Sequence, residues 1–105
     1  MPPRVCRELA RIVQESLVNI RKHSGARESL VRLSEDPARW LVTVEDNGKG
    51  FPFTGRSSHR ELEEAGKGPT VILERLRLIE GELTIESNPG RGARLEIGVP
   101  KNRES

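Results

Sequence analysis

Apolar residues at the head of the chain recur at helical spacing. Val5, Leu9, Ile12, Val13 and Ile20, with Ser16 among them, form one stripe, which predicts a helix over 4–24. Pro2 and Pro3 suit its entrance and Ser24-Gly25 its exit. The period then shortens. Residues 28–34 and 40–46 flank the turn residues Glu35-Asp36-Pro37 and predict an antiparallel hairpin. Helical spacing returns at 70–80, with Val71, Ile72, Arg75, Leu76 and Ile79 on one side and Gly81 as the stop. Leu83, Ile85 and Ser87 alternate, as do Leu95, Ile97 and Val99; Pro89-Gly90 between them suits a type II turn, and Pro100 stops the last strand. From 51 to 67 no period holds. Pro52, Gly55, Ser57, Ser58, Gly66 and several charges make a loop of functional length, with a brief helical turn at 61–65. The expected class is therefore α+β: two long helices on one face of a four-stranded, mostly antiparallel sheet, a two-layer sandwich.

Two places break the pattern in a way that suggests chemistry. Trp40, Val42, Val44 and Asp46 share one face of a strand, so Asp46 continues a core-facing row. A carboxylate at the edge of a core needs hydrogen-bond donors. Gly48 and Gly50, in Glu45-Asp46-Asn47-Gly48-Lys49-Gly50-Phe51, allow close approach of a ligand to bare backbone. An acceptor beside bare backbone suits a flat polar heterocycle; the same residues also suit a strand that ends in an ordinary Asn-Gly turn. On the first helix, Glu15, Asn19 and Lys22 fall on one flank of the apolar stripe. An amide oxygen there can ligate a hard cation, an ammonium can meet phosphate, and a carboxylate can orient or deprotonate an attacking group. The alternative is a solvated helix edge.

Composition narrows the picture. With 105 residues there is room for one domain, 1–105, with a core over 4–100 and a frayed tail at 101–105. Aromatic residues are 3%, so the core must be aliphatic. A net charge of +2, with basic and acidic residues interleaved, gives no nucleic-acid signature; the local basic cluster of Arg56, His59 and Arg60 is followed at once by acids. The single cysteine, Cys6, excludes an internal disulfide, suits a reducing compartment and reads as a small buried residue. No spanning segment or signal peptide is visible, so no direct membrane contact is expected.

The segments together resemble a known superfamily. Gln14-Glu15-Ser16-Leu17-Val18-Asn19-Ile20-Arg21-Lys22-His23 looks like the N box of the GHKL ATPases. Asp46-Asn47-Gly48-Lys49-Gly50-Phe51 looks like their first glycine box, Gly66-Lys67-Gly68 like a short second one, and Asn88-Pro89-Gly90-Arg91-Gly92 like the turn before the last strand. Order and spacing fit from about Val5 to Pro100. The wording is most similar to the ATP-binding (HATPase_c-type) domain of bacterial sensor histidine kinases that feed helix-turn-helix response regulators. The resemblance implies a Bergerat-type ATP-binding fold and ATP with magnesium as cofactors. It implies that Asn19 ligates the magnesium, that Glu15 positions or activates the attacking group, and that Lys22 faces the phosphates. It further implies that Asp46 accepts a hydrogen bond from the exocyclic amine of adenine. Gly48 and Gly50 would pack against the base and begin a lid over 51–67, and Gly66 and Gly68 would bring backbone amides to the phosphates. His23 reads as packing or a phosphate neighbour, and His59 as a bystander.

The chain departs from the pattern twice. Pro69 follows the second glycine box where Leu is usual, which removes an amide and stiffens that end of the lid. Ala93 stands where the last motif usually has Thr, so a hydroxyl near the adenine end is missing. The chain also opens almost on the N-box helix. The resemblance therefore implies a truncated first strand and a fragment of a larger kinase, cut at Pro2-Pro3, whose acceptor histidine lies elsewhere. The implied partners are ATP, the dimerisation and histidine-phosphotransfer domain of the same kinase and, indirectly, a response regulator. The implied location is cytoplasmic, including as the cytosolic part of a membrane-bound sensor. Competing readings are an anti-sigma-factor-type serine kinase or another GHKL ATPase, and a degenerate nucleotide-binding interaction module.

Overall fold

The structure, a computed structural model, describes residues 1–23, 28–47, 55–66, 70–88 and 92–101, without the side chains of 19–23, 63, 65 and 88. The leading stripe forms helix α1 (Pro3–His23). Val5, Leu9, Ile12 and Ser16 are buried, and Val13 and Leu17 pack at the margin. The Ser16 hydroxyl donates to the Ile12 carbonyl at 2.8 Å, so a polar group sits in the stripe without an orphaned donor. Cys6 is exposed, contrary to its expected place in the core: it lies about 100° round the helix from Val5, off the stripe.

The hairpin follows as β1 (Ser29–Glu35) and β2 (Arg39–Asp46), paired antiparallel. Asp36 makes the turn. Its carboxylate accepts from the N–H groups of Ala38 and Arg39 at 2.8 and 2.7 Å, and its own N–H donates to the Arg39 carbonyl.

Among the described residues the sheet has five strands rather than the expected four. The segment expected as a loop over 51–67 contains strand β3 (Gly55–Ser58) and helix α2 (His59–Ala65). No alternation announces β3, because Gly-Arg-Ser-Ser has no apolar side chain. It lies at the sheet edge and is held by pairing with the next strand. Helix α2 opens on a reciprocal cap: Ser58 Oγ accepts from the Glu61 N–H at 3.2 Å, and the Glu61 carboxylate accepts from the Ser58 N–H at 3.3 Å. Its Leu62 is buried in the core.

Helix α3 (Thr70–Leu78) ends before the expected residue 80. The Gly81 N–H donates to the Leu76 carbonyl at 2.8 Å and the Glu80 N–H to the Arg77 carbonyl, a Schellman closure with Glu80 at φ 56°. Ile72, Leu73, Leu76 and Ile79 are buried, whereas Val71, expected on that side, is exposed. Strands β4 (Glu82–Asn88) and β5 (Gly92–Pro100) complete an antiparallel sheet in the order β1-β2-β5-β4-β3. The expected turn at Pro89-Gly90 lies outside the described residues. The chain after β5 is tied down at its first residue: the Lys101 N–H donates to the Ala38 carbonyl, and its ammonium lies 2.9 Å from Glu35.

One aliphatic core lies between the helices and one sheet face. Val42 and Val44 of β2, Leu83 and Ile85 of β4, and Leu95, Ile97 and Val99 of β5 pack under α1, α2 and α3. The other sheet face is polar. There Glu45, Arg94, Glu96, Arg56 and Glu86 form a chain of ion pairs between 2.9 and 3.6 Å across β2, β5, β3 and β4.

Candidate functional site

Strand register gathers the site at one end of the sheet. Ser29 pairs with Asp46, Asp46 with Ala93, Ala93 with Ser87, and Ser87 with Gly55. Directly opposed residues share a face. Asp46, Ala93 and Ser87 therefore lie in one row on the helix side, continuing the rows of Val44, Leu95 and Ile85. Ser87 is fully buried, Ala93 nearly so, and Asp46 half-buried. Asp46 thus sits at the rim of the core, as the alternation of β2 requires.

Gly92 explains why the rim is closely built. Its φ is 104°, and a Cβ on it would lie inside contact distance of the Asp46 carbonyl, 2.8 Å from the carbonyl carbon and 2.9 Å from the Asn47 Cα. Only a residue without a side chain lets β5 start against the end of β2. Asn47 closes the other side: its amide oxygen accepts from the Glu28 N–H at 3.1 Å, and its own N–H donates to the Glu28 carbonyl. Asn47 therefore acts as a strand clasp, a role that its place in a glycine-rich motif did not announce.

Helix α1 ends at His23, and the described residues resume at Glu28, which is bonded to Asn47 at the Asp46 end of the hairpin. Glu15 is half-buried on the flank that also carries Glu8, about two turns away. Glu8 accepts from the Arg75 guanidinium of α3 at 3.0 Å, so this flank faces α3. Asn19, Lys22 and His23 lie on the last turns of α1; their side chains are outside the described residues, as are Gly48, Gly50 and Gly68 altogether. Gly66 is described. It follows α2 at φ 63°, and a Cβ on it would meet nothing within 4 Å, so the left-handed conformation that ends the helix, not space, calls for glycine there.

Asp46, Ala93, Ser87 and Gly92 thus stand together at one end of the sheet, and Glu15 lies on the flank of α1 that carries the Glu8–Arg75 contact to α3. The sequence profile of the histidine kinase-, DNA gyrase B- and HSP90-like ATPases matches residues 5–103. The chain belongs to this family. It is 35% identical over 96 residues to the signal transduction histidine-protein kinase/phosphatase DegS of Brevibacillus brevis, a match that covers 91% of this chain and 23% of that protein. It is 34% identical over 91 residues to the sensor histidine kinase ComP of Bacillus subtilis, covering 87% of this chain and 11% of ComP. The chain therefore spans less than a quarter of the length of these relatives. In fold it is similar to the histidine kinase domain of the EL346 blue-light-activated kinase from Erythrobacter litoralis, with a TM-score of 0.70 over 95% of this chain and 46% of that one, at 22% identity. The ATPase fold accounts for the two-layer arrangement. Among the described residues no helix is long and apolar enough to cross a membrane.

Proposed function

We propose that this chain is the ATP-binding catalytic domain of a two-component sensor histidine kinase. In this reading it passes the γ-phosphate of ATP to a histidine on a helical dimerisation domain, and a response regulator receives the phosphate from there. The observation that carries the reading is a rim carboxylate, Asp46, with Gly92 packed against its backbone at one sheet end, in a chain whose residues 5–103 match the ATPase family.

Asp46 accepts from the exocyclic amine of adenine. Gly48 and Gly50 line the base, and Gly66 and Gly68 open the backbone to the phosphates ahead of α3. Lys22 and His23 stand beside the phosphates at the end of α1. Asn19, about one turn beyond Glu15, offers an amide oxygen to the magnesium ion that accompanies ATP. When bound, that ion offsets charge on the transferring phosphoryl group. Glu15 positions or activates the attacking nitrogen. The domain works in the cytosol, where ATP is available. Ala93, directly opposite Asp46, favours a second reading: a nucleotide-binding module with weak affinity and no transfer.

Calorimetric titration with magnesium and either ATP or GTP tests the site. Guanine presents a carbonyl where adenine presents an amine, and a mismatched buried polar pair costs about 1–3 kcal/mol. ATP should bind more tightly by about that amount, and Asp46→Asn should weaken it comparably. Equal affinity for the two nucleotides removes Asp46 from the adenine site.

A further inference from the structure

We propose that the Glu8–Arg75 ion pair is a positioning contact that sets α1 against α3, and through it the fit of the phosphates of bound ATP. The proposal rests on the nucleotide site described above. Of the described pairs, this one joins the two long helices: the Arg75 guanidinium donates to both Glu8 carboxylate oxygens, at 3.0 and 3.4 Å. It is also the most sheltered, with Glu8 15% and Arg75 31% exposed, whereas the sheet-face pairs are largely open to solvent.

Its place matters more than its strength. Glu8 lies about two turns from Glu15 and about three from Asn19 along α1, and Arg75 a little over one turn from Thr70, where α3 begins. Glu8 and Glu15 share the flank that faces α3. The pair therefore fixes the spacing of α1, which carries the N box beyond Glu8, against α3, which begins at Thr70. The base end of the site is fixed differently, by the β2–β5 register at Asp46 and Ala93. A change at the helix pair should thus reach the phosphates and spare the base, since small misplacements at a charged site are costly.

The test uses the 105-residue chain with magnesium and two probes, ATP and adenosine. Glu8→Arg should raise the Kd for ATP by about five- to tenfold and that for adenosine by less than about twofold. The exchanged pair, Glu8→Arg with Arg75→Glu, should bring the ATP Kd back to within about twofold of the parent, because opposite charges again face each other. Glu8→Gln, which keeps an acceptor, covers the case in which Glu8→Arg does not fold; it should shift the ATP-to-adenosine ratio in the same direction. Equal loss for both probes would reduce the pair to a stability contact, and failure of the exchanged pair to restore ATP binding would sink the proposal as well. A parent chain that binds neither probe overturns the nucleotide site itself, and this inference with it.

Discussion

At the scale of single residues, neighbouring positions carry opposite demands. Glu80 takes the left-handed turn that ends α3, and Gly81 beside it is needed for space: a Cβ on Gly81 would lie 2.6 Å from Leu76 Cδ2. Leu76 is fully buried and cannot move aside freely. Substitutions here should therefore differ in sign. Glu80→Gly should stabilise the domain by about 1 kcal/mol by relieving the left-handed strain. Gly81→Ala should destabilise it by about 1–3 kcal/mol through overpacking. Thermal melting of both variants checks this, and a matching loss in both would refute the assignment. The sequence shows Gly81 as a helix stop, but it does not show that Glu80 holds the turn, because the left-handed residue is chosen by the closure geometry. The rim carboxylate was legible for the opposite reason: strict alternation from Trp40 to Asp46 leaves one face for Asp46 to occupy.

At the scale of elements, legibility follows apolar periodicity. Helix α1 and strands β2, β4 and β5 bury regular rows; α1 and β2 fall within a residue of the sequence reading, whereas β5 begins at Gly92, within the segment read as a turn. Strand β3 buries no apolar row, so pairing with β4 alone defines it. The Ser58-x-x-Glu61 spacing was the one available signal that α2 begins at His59. The β1–β2 turn shows how one polar residue can define an element. Backbone N–H groups of Ala38 and then Arg39, with the Arg39 charge adding to them, hold the Asp36 carboxyl below its usual range. A lowered native pKa favours folding above the unfolded value, and that contribution is lost as pH falls through the native one. Its window is therefore acidic, below about pH 4. Asp36→Asn keeps an acceptor for the turn but does not titrate. Urea melts should show the variant slightly less stable at pH 7 and its deficit shrinking towards pH 3. A deficit that grows on acidification would contradict the sign.

At the scale of the molecule, topology decides what the domain can do alone. The chain order α1, hairpin, β3-α2-α3, hairpin sends the middle excursion to the far sheet edge and returns β5 to the centre, beside β2. That return places Ala93 and Gly92 against Asp46, a contact that no local pattern encodes because the residues are far apart in sequence. The motifs could be read singly; their meeting depends on register. In the proposed reading the domain binds a nucleotide, and the chain's two histidines are poorly placed to receive its phosphate. His59 starts α2 at the sheet edge remote from α1, and His23 closes the helix that carries Glu15. In phosphoryl transfer much of the rate comes from holding donor and acceptor together. The 105-residue chain should therefore bind ATP yet label itself little. If the proposed function holds, adding a helical hairpin that carries a histidine followed by an acid should produce a labelled histidine on the hairpin. Glu15→Ala should then slow the transfer by about 100-fold or more, the usual reach of a positioned general base, while ATP affinity changes little. Radiolabelled ATP with and without the hairpin reads all three outcomes. Strong labelling of His59 in the chain alone would overturn the assignment of the acceptor to a separate domain, since the acceptor would then lie within this fold.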